Sequence, residues 1–380
     1  MDTADVVVIG GGVHGCSLSY HLAALGAGRI RVFEREYLAS GGTGRSAAGV
    51  RHQFGTEINC RLALENIRRF ETLNDELDYD GNIEFQQRGY LLIAYSRKQL
   101  EQFERNVRLQ NRLGIGSVML SPDRIPEVSP DLDLDGVLGA SYCPRDGHAN
   151  PFHVTHAYAG AARRLGVEFN LREAVRGIHV RGGRVCGIET ARRSVACGAV
   201  VIASGGHGAD LAATAGLDIP LYSERHQILV TEPFDHILDP MVLCFDDGTY
   251  WKQTPHGSFL MGIGDANEVK GHHTGSTWQF LGEMARKITR HMRRLAGARV
   301  VRQWAGTYDI TPDSQAILGP TPVVGLFLDL GWSGHGFQFA PSIGRALSEV
   351  ILGKQPFVDI SPLYLDRFVT GRLIPEPACV

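Results

Sequence analysis

Three glycines and an acidic residue near the amino terminus have the types and spacing of a phosphate- and ribose-binding site. They are Gly10, Gly12 and Gly15, followed by Glu34, which stands 19 residues after Gly15. The first glycine permits a tight turn, the second lets backbone approach a pyrophosphate, and the third lets a helix pack closely on a strand. Glu34 stands where a carboxylate binds ribose hydroxyls, and its charge would repel a 2′-phosphate.

The elements around these residues must bring them to one point. Residues 5–9 form a short, continuously apolar run, which is typical of a strand buried on both faces of a parallel sheet. Residues 16–25 have apolar and small residues at helical spacing, and residues 29–33 form a second apolar run. A helix that begins at the glycines offers unpaired N–H groups to phosphates. The order strand, turn, helix, strand predicts a dinucleotide site. The alternative is a glycine-rich structural turn.

The glycine pattern alone does not choose between NAD and FAD. The next segment, from Ser40 to Phe54, is rich in small residues and contains Arg45, Ser46 and Arg51. It resembles the second flavin-contacting loop of the D-amino-acid oxidase superfamily, and within it the branch of sarcosine oxidases, glycine oxidase and proline or dimethylglycine dehydrogenases. Small residues let backbone wrap a ligand, while Arg45 and Ser46 offer hydrogen-bond donors. The resemblance implies FAD. The alternative from the residues alone is a flexible polar loop.

Two later parts of the chain strengthen this resemblance. Residues 198–206 form an apolar run that ends in small residues, as does the strand that such flavoproteins place beside the first one. Residues 302–313 and 326–338 contain Thr-Pro-Asp and Ser-Gly-His-Gly-Phe in the order and spacing of the family's carboxyl-terminal flavin motifs. There, backbone N–H groups from Gly334 to Gln338 could stabilise the negative charge of the reduced flavin. His335 could instead serve only to hydrogen-bond the turn.

The cofactor-binding residues implied in this way are spread over nearly the whole chain. They are Gly10, Gly12, Val13, His14, Gly15, Glu34, Arg35, Thr43, Arg45, Ser46, Val175, Ala203, Gly205, Gly306, Tyr308, Gly334, His335, Gly336, Phe337 and Gln338.

Departures from the family predict how the flavin is held. Relatives that attach FAD covalently use a cysteine at the place of Gly306 or a histidine at the place of Ser46. We therefore predict non-covalent FAD. A lysine that helps bind the substrate carboxylate in monomeric sarcosine oxidases is Gln338 here, and a second lysine, which promotes reaction with oxygen, is expected to be absent because its place is near Leu260.

The predicted catalytic residues are Arg51, Tyr250, Trp251, His335 and Gln338. A planar guanidinium binds a carboxylate through two hydrogen bonds, and Arg51 matches a carboxylate-binding arginine of sarcosine oxidases. Tyr250 and Trp251 resemble the substrate-domain strand that faces the flavin, and Tyr308 is a further candidate. Such an enzyme transfers a hydride from the substrate Cα to flavin N5, and the imine then hydrolyses in water. The alternative interpretations are that Arg51 is an ordinary surface arginine and that Tyr250 and Trp251 pack in the core.

Because the flavin motifs lie near the beginning, middle and end, the chain must leave the cofactor-binding domain and return to it. We predict a discontinuous α/β FAD-binding Rossmann-like domain of the glutathione-reductase type, formed by residues 1–83, 148–216 and 299–380. An α+β substrate domain with an antiparallel sheet is expected from residues 84–147 and 217–298.

Composition excludes several other classes. Hydrophobic residues make up 43% and charged residues 21%, and the net charge of −3 gives no electrostatic reason to expect nucleic acid or an acidic membrane surface. Seven cysteines without a Cys-x-x-Cys pair predict neither a disulfide framework nor a metal site, and favour the cytoplasm. No apolar run reaches the ~18 residues of a membrane span, and no signal peptide is recognised at the amino terminus.

The leading functional prediction is FAD-dependent oxidation of the C–N bond of a small amino acid, in particular an N-alkyl or cyclic one such as sarcosine or proline. Electrons then pass to oxygen, which gives hydrogen peroxide, or to another acceptor. One alternative is the flavin subunit of a hetero-oligomeric dehydrogenase with partner subunits. Others are a 2-hydroxy-acid oxidising member of the superfamily, an NAD-dependent dehydrogenase and a flavin-binding protein without activity.

Overall fold

The computed structural model describes residues 2–265, 267–268 and 270–377, and within them the chain forms two eight-stranded sheets and one two-stranded sheet. The strands are β1 (Asp2–Ile9), β2 (Ile30–Glu34), β3 (Gly49–Val50), β4 (Tyr90–Ala94), β5 (Val118–Leu120), β6 (Gly139–Cys143), β7 (Gly147–His148), β8 (Glu168–Leu171), β9 (Val175–Arg181), β10 (Arg184–Thr190), β11 (Ser194–Ile202), β12 (Tyr222–Pro233), β13 (Met241–Cys244), β14 (Thr249–Gln253), β15 (Ser258–Ile263), β16 (Val300–Ile310), β17 (Ile317–Pro320) and β18 (Leu326–Leu330). The α-helices are α1 (Val13–Ala24), α2 (Glu57–Glu76), α3 (Arg97–Arg112), α4 (Pro151–Arg164), α5 (Gly208–Thr214), α6 (Trp278–His291), α7 (Ala340–Ile351) and α8 (Arg367–Thr370).

The first sheet has the order β17-β18-β11-β1-β2-β8, with β10 and β9 added through β11. Its central strands are parallel, since β1 pairs in parallel with both β11 and β2. All five residues of β2 are buried, as expected for a strand covered on both faces. The predicted βαβ unit and the Rossmann-like fold class are therefore confirmed. Strands β1, β2 and β11 end at the same edge of the sheet, where Gly10 follows β1, Glu34 ends β2 and Ala203 follows β11.

Helices α1 and α7 cross closely beside this sheet because small residues meet at the crossing. A Cβ atom added to Gly344 would lie 2.2 Å from the Ser17 hydroxyl oxygen. The same hydroxyl donates a 2.7 Å hydrogen bond to the carbonyl of Ala340. The amino-terminal helix that should face the cofactor is thus fixed to the helix that follows the carboxyl-terminal motif.

The second sheet has the order β16-β12-β15-β14-β13-β4-β6-β5 and is antiparallel except for the β13–β4 pair. Helix α6 covers one face, where Phe280, Met284 and Ile288 are buried in its apolar core. Since side chains alternate between faces along a strand, neighbouring residues on β14 point to opposite sides of this sheet.

One boundary from the sequence analysis is corrected by the pairing of β16. The predicted cofactor-binding domain includes residues 300–310, but these residues pair with β12 from Tyr222↔Ile310 to Thr231↔Val300 and so form the edge of the second sheet. Strand partners at long sequence separation leave no local mark in the sequence. The remaining division into domains by residue ranges stays a prediction.

Among the described residues, no helix is both long enough and apolar enough to cross a bilayer.

Candidate active site

The glycine turn between β1 and α1 is built as its spacing predicts. Gly10 has a φ of +120°, and a Cβ there would lie 2.3 Å from the carbonyl oxygen of Ala203. At Gly15 a Cβ would lie 2.0 Å from the Gly10 carbonyl oxygen. At Gly12 it would meet only the Thr43 hydroxyl, at 3.0 Å, so this side of the turn is open. The open side at the start of α1 fits a pyrophosphate.

Glu34 is buried at the end of β2, beside that turn. Its Oε2 accepts a 2.8 Å hydrogen bond from the backbone N–H of Gly11. Its Oε1 accepts from the N–H of Glu36 at 2.8 Å and from the Ser40 hydroxyl at 3.2 Å. A carboxylate has about four lone-pair sites, so these contacts leave capacity for a ribose hydroxyl. The carboxylate therefore orders the turn as well as offering an acceptor.

Residues after β11 form the next part of the candidate cofactor site. Gly205 has a φ of +55°, and Ala203 donates its N–H to the Ile9 carbonyl at 2.9 Å. The Ser204 hydroxyl oxygen is buried and has no hydrogen-bond partner within the described ranges, as expected of a group whose partner is a ligand. Arg35 contacts His207, with 2.8 Å between its Nη1 and the ring Nε2.

Val175 is the first residue of β9, where it pairs with Thr190 of β10. Its side chain packs against an apolar cluster of the first sheet. The nearby N–H of Glu173 donates to the Glu34 carbonyl at 2.9 Å, so this segment borders the end of β2.

The loop from Ser40 to Ser46 closes over the glycine turn. The Thr43 hydroxyl accepts a 3.1 Å hydrogen bond from the N–H of Val13, and the Ser46 hydroxyl donates to the Thr43 carbonyl at 2.8 Å. Arg45 uses Nε and Nη1 to donate to the carbonyls of Ser40 and Ala305, at 3.1 and 2.9 Å. Arg45 thus ties the loop to β16, and Gly306 faces it, since a Cβ there would lie 3.1 Å from the arginine Cβ.

His14 links the amino-terminal motif to the carboxyl-terminal one. Its Nδ1 lies 3.0 Å from an oxygen of Asp329, and its Nε2 lies 2.8 Å from the carbonyl oxygen of Gly336. Burial by itself lowers the pKa of His14, but the Asp329 carboxylate and the Gly336 carbonyl outweigh it, and the pKa is raised. Both ring nitrogens face oxygen atoms, so the ring joins α1 to the loop before α7.

The carboxyl-terminal motif is a glycine turn that makes room for a tyrosine. Gly334 has a φ of +88°, and a Cβ there would lie 2.3 Å from the ring of Tyr308. The N–H of His335 donates to the Trp332 carbonyl at 3.0 Å, so this donor is used within the turn. Only the other N–H groups of the predicted Gly334–Gln338 set are then candidates for stabilising the flavin.

A cavity of about 660 Å³, counting the part open to solvent, lies between these loops and the second sheet. It is lined by Ser46, Ala47, Ala48, Gly49, Arg51, Tyr90, Met241, Leu243, Tyr250, Tyr308, Ser333, Gly334, His335, Phe337 and Gln338. Four of the five predicted catalytic residues are brought together here, and Trp251 is not among them.

Arg51 supplies the charge of this cavity. Among the described residues that line it, Arg51 is the one arginine, and lysine, aspartate and glutamate do not occur. Its guanidinium carbon lies 4.2 Å from the centre of the Phe54 ring, and Nη1 donates to the Gln53 carbonyl. Its backbone N–H donates to Oε1 of Gln338 at 2.7 Å. Gln338 therefore fastens the two flavin-associated loops to each other.

His335 lines the cavity as a neutral ring. Burial, followed by the nearby Arg51 guanidinium, lowers its pKa to about 3. The ring packs edge-on against Trp332 and Phe339, with interplanar angles of 86° and 82°. At neutral pH His335 therefore adds no second positive charge beside Arg51.

Three stacked rings form one wall of the site, and sequence reasoning missed the middle one. His226 on β12 stacks on Tyr308 at 4.2 Å and on Tyr250 at 5.4 Å, with interplanar angles of 11° and 15°. Burial lowers the pKa of His226 to about 4 and holds the pKa of Tyr250 well above its usual value. Gly262 leaves room for Tyr250 in this stack, because a Cβ at Gly262 would lie 2.3 Å from the Tyr250 hydroxyl.

Trp251 points to the other face of the second sheet, so its assignment to the catalytic group is corrected. It is fully buried, stacks on His291 at 5.0 Å and donates from Nε1 to Met292 Sδ at 3.1 Å. The physical reason is the alternation of side chains along β14, which sends Tyr250 to the cavity and Trp251 to the core.

Replacing these two neighbours should separate stability from catalysis. We expect Trp251→Phe to lower the free energy of unfolding by about 1–3 kcal/mol, because it leaves a void in the core, with little change in kcat/KM. Tyr250→Phe should lower kcat/KM by about 3–10-fold through a lost hydrogen bond and leave thermal unfolding nearly unchanged. Denaturant unfolding and steady-state kinetics measure both. The reverse pattern would mean that Trp251 contacts the substrate.

Lys252 is a second residue that sequence reasoning missed. It shares a face of β14 with Tyr250 and pairs with Leu260 of β15, near which the resemblance had indicated a missing lysine. Burial lowers the pKa of its amine to about 7, against the opposite effect of Glu84. The alternation Tyr250-Trp-Lys252 was the available signal, since every second residue of a strand shares a face.

Comparison with known proteins agrees with this geometry. The family model "FAD dependent oxidoreductase" (DAO) matches residues 5–350. The beta subunit of sarcosine oxidase from Arthrobacter sp. is 31% identical over 98% of this chain and 93% of its own. The structure of L-proline dehydrogenase from P. horikoshii is 31% identical, with a TM-score of 0.93 over 98% of this chain and 100% of that one. Glycine oxidase from Geobacillus kaustophilus, at 23% identity and a TM-score of 0.89, shares the fold.

The match extends over the glycine turn, the loop after β2 and the glycine turn before α7, and the last two supply residues to the cavity lining. The chain belongs to the DAO family of FAD-dependent oxidoreductases.

Proposed function

We propose that this enzyme oxidises the C–N bond of a small amino acid, and in particular a secondary one with an N-alkyl group or a ring. The observation that carries the proposal is the single cationic side chain, Arg51, in the wall of a cavity whose described lining otherwise has no ionised group. A carboxylate is the ligand that a guanidinium fork of this kind binds best. The relatives named sarcosine oxidase and L-proline dehydrogenase support a secondary amine as the partner group.

Each wall of the cavity has its own part in this proposal. Arg51 binds the carboxylate and so fixes the Cα, while Met241 and Leu243 offer apolar contact to an N-alkyl group or ring. Without a carboxylate in the described lining, nothing there favours a charged ammonium, so the amine is held neutral with its lone pair available. FAD, when bound, supplies the acceptor for the hydride that leaves Cα. The imine product is then hydrolysed by water.

The same charge pattern limits the substrate to one carboxylate. A second carboxylate, as in aspartate or glutamate, would enter an apolar wall without a cation to pair with, and burying an unpaired charge is costly. We therefore propose monocarboxylates with a neutral, compact remainder as the substrate class.

The proposed mode of FAD binding is non-covalent. Gly306 and Ser46 stand at the two positions where relatives place a flavin-attached side chain, and neither offers a nucleophile of the required kind. Denaturation of the holoenzyme should therefore release all flavin into the supernatant.

We propose oxygen as the electron acceptor, with hydrogen peroxide as the product. Lys252 supports this because its buried amine, on the same face of β14 as Tyr250 but outside the described cavity lining, carries a positive charge when protonated that would stabilise negative charge developing on reduced oxygen. The second candidate is the flavin subunit of a larger oxidase or dehydrogenase, which the relatives named "subunit beta" favour. A cytoplasmic location stays a prediction from the cysteine pattern.

The pH dependence of reoxidation tests the part of Lys252. Its pKa is lowered to about 7, so the ammonium is present below that pH and is lost above it. We expect the rate constant for reoxidation by oxygen to fall as pH rises through about 7, and Lys252→Met to lower it by about tenfold and remove the pH step. Stopped-flow mixing of reduced enzyme with oxygenated buffer measures this. The exposed Lys98→Met is the control, and a pH step retained in Lys252→Met would exclude Lys252 as its cause.

Product analysis tests the proposed reaction itself. The purified holoenzyme is incubated in air with sarcosine, proline, N-methyl amino acids, glycine, glutamate and 2-hydroxyglutarate, and peroxide and carbonyl products are measured. Turnover of a secondary monocarboxylate with equal amounts of both products is the expected result. Turnover of the hydroxy acid alone would overturn the amine assignment. Reduction of the flavin by an amine without formation of peroxide would favour the multi-subunit candidate.

A further inference from the structure

The short turn that carries Arg51 is held from behind by one buried carboxylate. Asp146 is fully buried, and one of its oxygens accepts from the backbone N–H of His52 at 2.8 Å and lies 2.6 Å from the ring Nδ1 of His52. The other oxygen accepts from Nε2 of Gln53 at 3.1 Å. Three hydrogen bonds from two consecutive residues therefore meet on Asp146.

These contacts lead directly to the guanidinium of Arg51. Its Nη1 donates to the carbonyl of Gln53, and it lies over the ring of Phe54. The turn is closed by a 2.8 Å hydrogen bond from the N–H of Phe54 to the His52 carbonyl. The carbonyl and the ring that orient the guanidinium thus belong to the segment that Asp146 fixes.

The second sheet fastens the same turn at two further points. The Ser141 hydroxyl on β6 donates to Oε1 of Gln53 at 2.5 Å, and Nε2 of Gln53 donates to the carbonyl of Tyr90 on β4 at 2.9 Å. Because Tyr90 also lines the cavity, the network sets Arg51 at a fixed position relative to that wall.

A metal site is a weaker explanation of this cluster. Possible ligand atoms of His52, Cys143 and Asp146 lie within 4.8 Å of one another. However, both oxygens of Asp146 already accept hydrogen bonds, and burial raises the pKa of the Cys143 thiol, which keeps it protonated. A thiol must lose its proton to bind a metal ion.

We propose that Asp146 and His52 are positioning residues that hold the Arg51 guanidinium in the orientation that binds the substrate carboxylate. This inference rests on the proposed function, since it takes Arg51 as the carboxylate-binding group. Bidentate recognition needs the guanidinium plane and both N–H directions to be fixed, so a turn that shifts by a fraction of an ångström weakens carboxylate binding before it affects the flavin.

The test uses carboxylates that lack an amine, so that binding is measured without turnover. Holoenzyme is titrated with acetate and benzoate, and the dissociation constant is read from the flavin absorbance change and by calorimetry. Asp146→Asn places an amide NH₂ where donors converge, and we expect it to weaken carboxylate binding by about 10–100-fold with flavin content unchanged. With substrate, KM should rise more than kcat falls.

A double-mutant cycle with Arg51→Met distinguishes positioning from general damage. In the Arg51→Met background the guanidinium that binds the carboxylate is already absent, so Asp146→Asn should have little further effect on carboxylate binding. Glu349→Gln is the control, because Glu349 is a buried carboxylate on α7 that pairs with Arg345 and lies outside the described cavity lining. It should lower stability and leave the carboxylate dissociation constant unchanged.

Milder variants keep the inference testable where Asp146→Asn does not fold. His52→Leu removes one donor to Asp146 and should weaken carboxylate binding by about 5–10-fold, while His52→Asn, which can place an amide N–H near Nδ1, should restore most of it. Equal carboxylate affinity in wild type, Asp146→Asn and His52→Leu would overturn this inference but not the proposed function. A wild-type holoenzyme that binds no carboxylate would overturn the proposed function and this inference with it.

Discussion

Arg51→Met will lower kcat/KM for the amino-acid substrate by about 10³-fold, while the enzyme keeps its FAD and its thermal stability. Removing one partner of a buried, hydrogen-bonded charge pair costs about 2–5 kcal/mol, and each 1.4 kcal/mol is a factor of ten. The methionine fills similar volume over Phe54, so the cavity wall is retained. Steady-state kinetics and flavin content after gel filtration measure the outcome.

Two further variants test whether that loss of activity comes from the guanidinium of Arg51. Arg51→Lys keeps the charge but not the planar fork, so it should recover only part of the activity. Arg302→Met on β16, which removes an arginine outside the described cavity lining, should leave kcat/KM unchanged. If Arg51→Met binds and oxidises the substrate as well as wild type does, the carboxylate is bound elsewhere and the proposed orientation of the substrate is wrong.

Gly12→Ala will weaken FAD binding by about 100-fold in a chain that still folds. The backbone at Gly12 has a φ of −77°, which any residue adopts, and the new Cβ would meet only the Thr43 hydroxyl at 3.0 Å. The methyl group would therefore occupy the open side of the turn, where the pyrophosphate must approach, and overpacking there costs about 1–3 kcal/mol. Flavin fluorescence titration of the apoprotein gives the dissociation constant.

Gly15→Ala is the informative contrast, because its Cβ would lie 2.0 Å from a carbonyl oxygen of the same turn. It should lower the apoprotein's unfolding temperature as well as FAD affinity. Gly282→Ala, on α6 with nothing within 4 Å of the added Cβ, should change neither. Equal FAD affinity in Gly12→Ala and wild type would contradict the placement of the pyrophosphate at this turn.

Local patterns predicted the parts of the site that depend on local backbone. Gly10, Gly12 and Gly15 lie where their spacing indicates because a tight turn between a buried strand and a helix has few solutions. Arg51 enters the cavity because it directly follows β3, a few residues after the loop that closes over the glycine turn. The discontinuous cofactor-binding fold was predictable for a similar reason, since motifs at both ends of the chain must meet around one ligand.

Side-chain direction was harder to predict than position. Tyr250 and Trp251 are neighbours on one strand, and either could have faced the cavity until the register of β14 was known. The register Leu243↔Tyr250 decides it, because Leu243 lines the cavity too. Lys252 then follows by alternation, although its burial and lowered pKa depend on the packing around it.

Contacts between distant segments had no sequence signal at all. Asp146 reaches His52 across 94 residues, and His226 enters the tyrosine stack because β12 lies beside β16. Arg45, which is predicted to be a cofactor donor, also hydrogen-bonds the carbonyl of Ala305. Such partners follow from the order of strands in the second sheet, which single-residue types do not encode.

Anaerobic titration of the yellow holoenzyme is the measurement that tests the proposed chemistry most directly. The flavin band is recorded while sarcosine, proline, glycine, an N-methyl amino acid and 2-hydroxyglutarate are added in turn without oxygen. We predict that a secondary monocarboxylic amino acid bleaches the band and that the hydroxy acid does not. Bleaching by the hydroxy acid alone, or by none of these compounds, would contradict amino-acid oxidation as the function of this enzyme.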